Sequence, residues 1–318
     1  RWANRSPRSA RPGRGRMPPL REMRLRMRSI KNLSQVTRAL EAVSASKARK
    51  AQQAVLSTRA YAGKAYDILT HLANQPGSLA ILHPLLTQRA EVKAIDIVLL
   101  TGDRGLAGAY NSNIVRAAMA FARGQTPPVR YVTVGRKGRD MVFRRRGHIA
   151  AEFTGLPAAP SSLDVAAIAR TVIDDFLNGT VDEVFLAYTD FVNVARQVPT
   201  IKRLLPISVA TASRGGLSDS LDGHTTPPAV PYIYEPSVGE VLNTIVPRFT
   251  QLQILQAVLE SLASEHSARM VAMRNATDNA GDLIDTLQLD YNKARQLSIT
   301  SDLLDIAGGA EALAKARK

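Results

Sequence analysis

Apolar residues recur at steps of three and four from Arg248 to Ala307, a run that contains no proline and one glycine, Gly281. At a rise of about 1.5 Å per residue, an unbroken helix over that run would reach about 90 Å, longer than the core of a single domain. The run from Leu20 to Gln75 has the same character, with no proline and only Gly63, and predicts a helix of about 80 Å. Met27, Ile30, Leu33, Thr37, Leu40 and Ser44 form a seam narrow enough for a coiled coil. The segment Ala42 to Ala54 is dominated by Ala, Ser, Lys and Gln, and its small residues would let a partner helix approach closely. In the C-terminal run Leu252, Leu255, Leu259 and Leu262 keep the heptad step. The seam then advances by four twice, through His266 to Met270, and resumes at Met273, Thr277, Ala280, Ile284, Leu287, Tyr291 and Ala294. Such inserted steps relax a left-handed supercoil. Long helices at both ends predict an antiparallel coiled-coil shaft that carries a head, with Ile30 near Leu287 or Tyr291.

Between the helices the period changes. Ile95 to Leu100 is a short apolar run ending in Thr-Gly-Asp-Arg-Gly and followed by a helical segment from about Ala109 to Arg123, so it reads as a buried strand feeding a helix. Val129 to Val134 is strand-like and Lys137 to Arg146 helical. Ser161-Ser162-Leu163-Asp164 offers a capping box for a helix to about Asn178, and Glu183 to Tyr188 is strand-like again. Alternating strands and helices predict a Rossmann-like α/β domain with a mostly parallel sheet, and Thr189 to Val209 reads as a hairpin. The Gly, Ser, Asp and Pro content of Arg214 to Pro231 reads as a loop. The expected organisation is a basic leader (1–16), an N-terminal coiled-coil helix (17–75) and a linker (76–93), with Pro76-Gly77 closing the helix. An α/β domain (94–212), a loop and edge strand (213–235), a C-terminal coiled-coil helix (236–313) and a tail (314–318) follow. The last helix begins after Glu235-Pro236, with Pro247 as a kink or a late start.

Composition narrows the function. The chain has no cysteine, which excludes disulfides, thiolate metal sites and cysteine nucleophiles. No apolar run approaches the eighteen or so residues of a membrane span. The net charge of +15 implies an acidic partner, whether nucleic acid, anionic membrane or acidic protein. Arg1 to Arg16 holds six arginines and no acid. That segment reads as disordered; an organelle transit peptide shares its composition, and an overextended or processed N-terminus ahead of Met17 is the plainer account.

The candidate chemistry is sparse. Thr101 to Gly108 stands between a strand and a helix, where a phosphate-binding loop would sit, but its glycines are spaced G-x-x-G-x-x-G and no Gly-Lys-Ser/Thr follows. It reads as a tight structural turn. His71, His83, His148, His224 and His266 are scattered without metal-ligand spacing. The pairs Asp174-Asp175 and Asp182-Glu183 read as solvated. Arg144-Arg145-Arg146 could meet nucleic acid, yet no aromatic interleaving or reading motif accompanies it. No nucleophile, base and orienter stand together. A nucleotide-dependent enzyme and a basic coiled-coil nucleic-acid binder remain as alternatives.

The stretch from Ser264 to Ala280, SEHSARMVAMRNATDNA, closely resembles the C-terminal signature of the γ subunits of F-type ATP synthases, bacterial type. Arg28 to Asn32 with Lys47 to Gln52, Thr101 to Asn113, and Leu289 to Thr300 with Gly308-Gly309-Ala310 resemble further family segments in the expected order. The resemblance covers about Met17 to Leu313. It implies a central rotor shaft with no active site and no cofactor, turning inside a hexamer of α and β subunits while its α/β domain contacts ε and the c-subunit ring, without nucleic acid. By position, Arg295 and Gln296 match the polar pair that meets a loop of β, and Leu40 sits where the first helix passes the β lever. Leu297, Leu303, Leu304 and Ile306 belong to a tip that turns in a hydrophobic sleeve. The implied location is the cytoplasmic face of a bacterial inner membrane, held through the complex, or else the matrix face of the mitochondrial inner membrane. The plastid form's regulatory cysteine insert is absent, and the leader and the tail lie outside the family pattern.

Overall fold

The computed structural model describes residues 20–73, 83–207 and 238–316. The loop expected at Arg214 to Pro231, the edge strand, Pro76-Gly77, the leader, and the side chains of His71 and His224 lie outside the described residues. Among the described residues the α-helices are α1 (Leu20–Ala73), α2 (Tyr110–Arg123), α3 (Arg136–Arg144), α4 (Ser162–Leu177) and α5 (Val238–Ala316). The strands among the described residues are β1 (Ile95–Leu100), β2 (Val129–Val134), β3 (His148–Phe153), β4 (Glu183–Phe191) and β5 (Gln197–Leu205). The chain divides into two compact units, one from residues up to Ala39 and from Arg274 onward, the other from Leu40 to Met273.

In the first unit α1 and α5 pair antiparallel. Met23 packs with Tyr291 and Ala294, and the Thr37 and Thr277 hydroxyls lie 2.7 Å apart. Residue numbers add to 314 in the pairs Met23–Tyr291 and Thr37–Thr277, which sets Ile30 opposite Ile284, about one turn short of Leu287 and two short of Tyr291. On α5 the buried or half-buried positions from Thr277 onward are those of the expected Met273-to-Ala294 seam, with Asn292 beside it. On α1 one position differs: Leu33 is 57% exposed, and Ser34 takes the seam step between Ile30 and Thr37. Heptad phase outweighs the greater hydrophobicity of leucine here, because only the position facing the partner can be covered. Thr37→Cys with Thr277→Cys should form an intramolecular disulfide on oxidation, since two touching hydroxyls bring the Cβ atoms near the span of such a bond. A mobility shift in a non-reducing gel would report it, and its absence would reject this register.

In the second unit the sheet order is β3-β2-β1-β4-β5, with β5 alone antiparallel. β1 is buried at every residue, as a central strand covered on both faces must be. Val98, Leu100, Val132 and Leu186 pack under α4 and α5, whereas Ile97 and Leu99 share a core with Ile114 of α2 and Val142 of α3. The Ser161 amide and hydroxyl both donate to Asp164, at 2.7 and 2.6 Å, which starts α4 where the capping box predicts. β3 is absent from the sequence reading. Its inward residues, Ile149, Ala151 and Phe153, include a small one and are only half-buried, so alternation in it is faint. The hairpin is β4–β5, turning after Phe191 and not starting at Thr189. Pro247 lies within α5, which already runs from Val238.

Of the two carboxylate pairs read as solvated, Asp175, Asp182 and Glu183 are not. Buried Asp182 accepts from Arg89 at 2.6 Å and from the Lys93 and Ala94 amides, and Glu183 lies 3.5 Å from Arg203. Burial opposes the Asp182 charge, but Arg89 and the two amides hold its carboxyl below the usual range. Asp175 shares Arg130 with the buried Asp96, which Arg130 grips through Nε at 2.8 Å and a terminal nitrogen at 3.0 Å. Of the four, only Asp174 stands well exposed.

In this unit α1 and α5 also touch, through Ala51, Val55, Leu259 and Ala263. Small residues permit the close approach expected of Ala42 to Ala54. From Ile254 to Ser267 α5 is buried on nearly every side, so no single seam continues through His266.

Candidate functional site

The turn after β1 is bonded to its neighbours through both side chains and backbone. The Thr101 hydroxyl donates to the Val134 carbonyl at 3.0 Å and accepts from the Gly138 amide at 2.9 Å. Asp103 ties three loops together by accepting from the Arg136 amide at 3.0 Å and the Gly155 amide at 2.9 Å. Gly135 has φ +99°, and a Cβ there would lie 2.2 Å from the Thr101 carbonyl oxygen, so no side chain fits.

These loops stand at the carboxyl ends of β1, β2 and β3. Chain connections leave β1 toward β2 on one side and reach β4 on the other, and at such a switch point open α/β sheets hold their ligands. Here α5 occupies the place. The Thr189 amide donates to Ser261 Oγ at 3.3 Å, and the Ser264 hydroxyl donates to the Thr189 carbonyl at 3.2 Å. A Cβ on Gly102 would lie 2.7 Å from the Glu265 carboxylate, and the Gly102 amide is already taken by Asn111 Oδ1 at 2.9 Å. Arg269 pairs with Glu265 and donates through Nε to the Gly105 carbonyl at 3.3 Å. A carboxylate of the protein thus stands against the turn where a phosphate would sit in a nucleotide site.

Tyr110 is buried beside this pair, and burial first, then the Glu265 charge, pushes its phenol up. His266 Nδ1 lies 3.2 Å from an Arg269 nitrogen, so Nδ1 must accept. Burial, with Arg269 and Lys47 adding repulsion, lowers the imidazole to about 4. Because that lies below its ordinary 6.5, the unfolded chain binds a proton that the folded chain refuses between those values. Stability from this group is complete above 6.5 and is lost as pH falls toward 4. The loss is ~3 kcal/mol at most. Urea midpoints at about pH 7 and about pH 5 should therefore differ, and His266→Asn should shrink the difference; an equal difference in the variant would remove His266 as the cause.

A cleft of about 610 Å³ lies beside the turn, and Leu40, Lys47, Arg104, Arg136, Glu265 and His266 are among its walls. Of the residues expected from the resemblance to meet β or the sleeve, Leu40 alone lines this cleft. Arg295, Gln296, Leu297, Leu303, Leu304 and Ile306 are exposed on α5 beyond Ala294, the last buried residue of the seam. By the register Ala294 faces Leu20, where described α1 begins, so the α5 residues after it have no described partner helix. Leu303, Leu304 and Ile306 are 62, 66 and 70% exposed. Glu265, His266, Arg269 and Tyr110 were missed as a group; an i, i+4 acid–base pair was the visible signal. His83 caps the turn Pro84–Leu86 by accepting from the Leu85 amide, and His148 is exposed at the start of β3. Among the described residues no three His, Asp or Glu side chains gather to hold a metal.

The sequence profile of the family described as ATP synthase matches residues 19–313. The ATP synthase gamma chain of Dehalococcoides mccartyi strain CBDB1 is 47% identical over 94% of this chain and 100% of its own length. That of Roseiflexus castenholzii is 46% identical over 94% of this chain and 100% of its own. A chain in the central stalk/c-ring structure of the Tetrahymena thermophila mitochondrial ATP synthase superposes with a TM-score of 0.58 at 25% identity, covering 76% of this chain and 99% of that one. One from the Euglena gracilis enzyme, at 22% identity, shares the fold with a TM-score of 0.64 over 94% of this chain and 96% of its own. With helices pairing antiparallel, an α/β sheet whose ligand crevice is filled by α5, and matches of this length, the chain belongs to the ATP synthase gamma chain family.

Proposed function

We propose that this chain works through three surfaces of a rotor, none of them catalytic. As a gamma chain it is the central shaft of an F-type ATP synthase, a non-catalytic subunit. The observation that carries the reading is the seating of α5 across the switch point: the α/β domain grips a helix where related sheets grip a ligand. Torque applied to that domain would pass into α5 through Glu265, Arg269, Ser261 and Ser264.

Arg295 and Gln296 stand exposed with polar ends free to meet a loop of the β subunit, and Leu40 lies on α1 beside the cleft, in the path of the β lever. The exposed apolar tip at Leu297, Leu303, Leu304 and Ile306 suits a hydrophobic sleeve formed by the α and β hexamer. The Tetrahymena and Euglena structures hold their chains with a c-ring, and the same seat, with ε alongside, is the reading for this α/β domain. No helix among the described residues is long and apolar enough to cross a membrane, so attachment would run through the complex. The cytoplasmic side of a bacterial inner membrane is the location that bacterial relatives favour.

Shaft and β subunit are coupled through contact differences. A switch from 1:99 to 99:1 between two β conformations needs about 5.5 kcal/mol of differential contact. Affinity-tagged chain, expressed with its own operon, should bring down α and β subunits; its recovery alone would overturn the assignment of partners. The isolated chain should hydrolyse no ATP, because Glu265 fills the crevice of the turn. Steady-state assays check this, and turnover abolished by a substitution within Gly102 to Gly108 would contradict it.

A further inference from the structure

The outer face of α2 and α3 carries a charge pattern that neither the sheet nor the residues named above as rotor contacts use. Between Arg116 and Gly147 there are nine Arg and Lys residues, against Asp140 as the only acid. Arg130 and Arg139 are neutralised, by Asp96 and Asp175 and by Asp140 and Glu152. Arg116, Arg123, Arg144, Arg145 and Arg146 are exposed, and among the described residues none of them has a carboxylate partner. The patch is continuous. An Arg145 nitrogen rests on Met119 Sδ at 3.0 Å, joining the end of α3 to α2, and Arg123 acts on Tyr131, whose ring packs beneath Gly147.

Among these cations stands Phe143, 74% exposed, next to Val142, which is fully buried. The helix is therefore seated firmly, and the phenyl ring is presented outward by its phase. Cations in a last helical turn offset the helix dipole, which accounts for Arg144. The dipole explains neither the bare ring nor the cations on α2.

We propose that this face docks on a bilayer of anionic lipids, its arginines meeting headgroup phosphates and Phe143 entering the headgroup–acyl boundary. A plane of phosphates over an apolar layer serves both features at once. Nucleic acid would serve the cations, but a single ring with no reading element beside it is a poor stacking platform. The proposal goes beyond the rotor reading and does not need it, because vesicles replace the complex in its test.

The full chain carrying Trp2→Phe and Phe143→Trp places its one indole in the patch. With vesicles of phosphatidylglycerol and phosphatidylcholine its emission should shift to the blue; with phosphatidylcholine alone it should not. Adding Arg144→Ala and Arg145→Ala should raise the lipid concentration for half the shift roughly thirtyfold, at about fivefold per charge. The basic segment Arg1 to Arg16 can hold a vesicle by itself, so retention without an indole shift overturns the proposal. An equal shift on neutral vesicles overturns it too, as does a larger shift on duplex DNA or polyglutamate than on anionic vesicles. Circular dichroism of each variant confirms the fold against which these shifts are read.

Discussion

Replacing Arg295 and Gln296 together by alanine is expected to slow ATP hydrolysis and synthesis by the assembled complex at least tenfold. Both side chains are exposed on α5, just past the last buried residue of the seam, so the helix loses no packing with them. Arginine offers a forked donor that matches a carboxylate, and hydrogen bonds to charged groups contribute about 1.5–3 kcal/mol. Against the ~5.5 kcal/mol needed to switch a β conformation nearly completely, one such contact is a large share. A solvated pair on a bare helix would instead change rates by less than about 0.5 kcal/mol, under threefold. Turnover of the reconstituted double variant, with helicity followed by circular dichroism, separates the two. Unchanged rates at unchanged helicity would mean that no β contact is made at these positions.

What was legible in the sequence follows the range of the physics. β1, β2 and α4 are written locally, in an apolar run interrupted only by Asp96, a β-branched run and a serine three residues before an aspartate. The α5 seam is local too, since heptad phase needs no knowledge of the partner. The phase of α1 was not fully legible: Ser34 earns its place only because the positions facing it on α5 cover it, and a leucine one step away looks the better choice. β3 escaped for a related reason. An edge strand half-covered on one face needs little hydrophobic contrast.

The site was less legible because its bonds are long in sequence. Arg269 reaches Gly105 across 164 residues, and Asp182 meets Arg89 across 93. Thr101 to Gly108 lies between β1 and α2, as its sequence predicts, but what the turn is for depends on a glutamate in another helix. A carboxylate pair in isolation looks solvated; whether it is depends on arginines that folding delivers.

The Glu265–Arg269 pair is the place where the fold should prove most sensitive. Both side chains are largely buried, at 9 and 13% exposure, and both serve the seat of α5 on the turn. Arg269→Met leaves Glu265 charged and unpaired against Gly102, a change that costs about 3–5 kcal/mol in buried pairs. For a unit of this size each kcal/mol moves the melting midpoint by about 2–4 °C, so a fall on the order of 10 °C is expected. Glu265→Gln alone frees Arg269 and should cost less, because the guanidinium keeps its bond to the Gly105 carbonyl and can turn toward the cleft. Combined, the two substitutions remove both charges, and the pair should recover at least about 2 kcal/mol relative to the sum of the single changes. Removing Arg269 also withdraws one of the cations that depress His266, so its acid-labile window should narrow in that variant. Urea denaturation of the isolated chain across the four-member cycle measures the coupling. Additive effects would show that the helix is held on the turn by packing and by Ser261 and Ser264, with the ion pair a bystander.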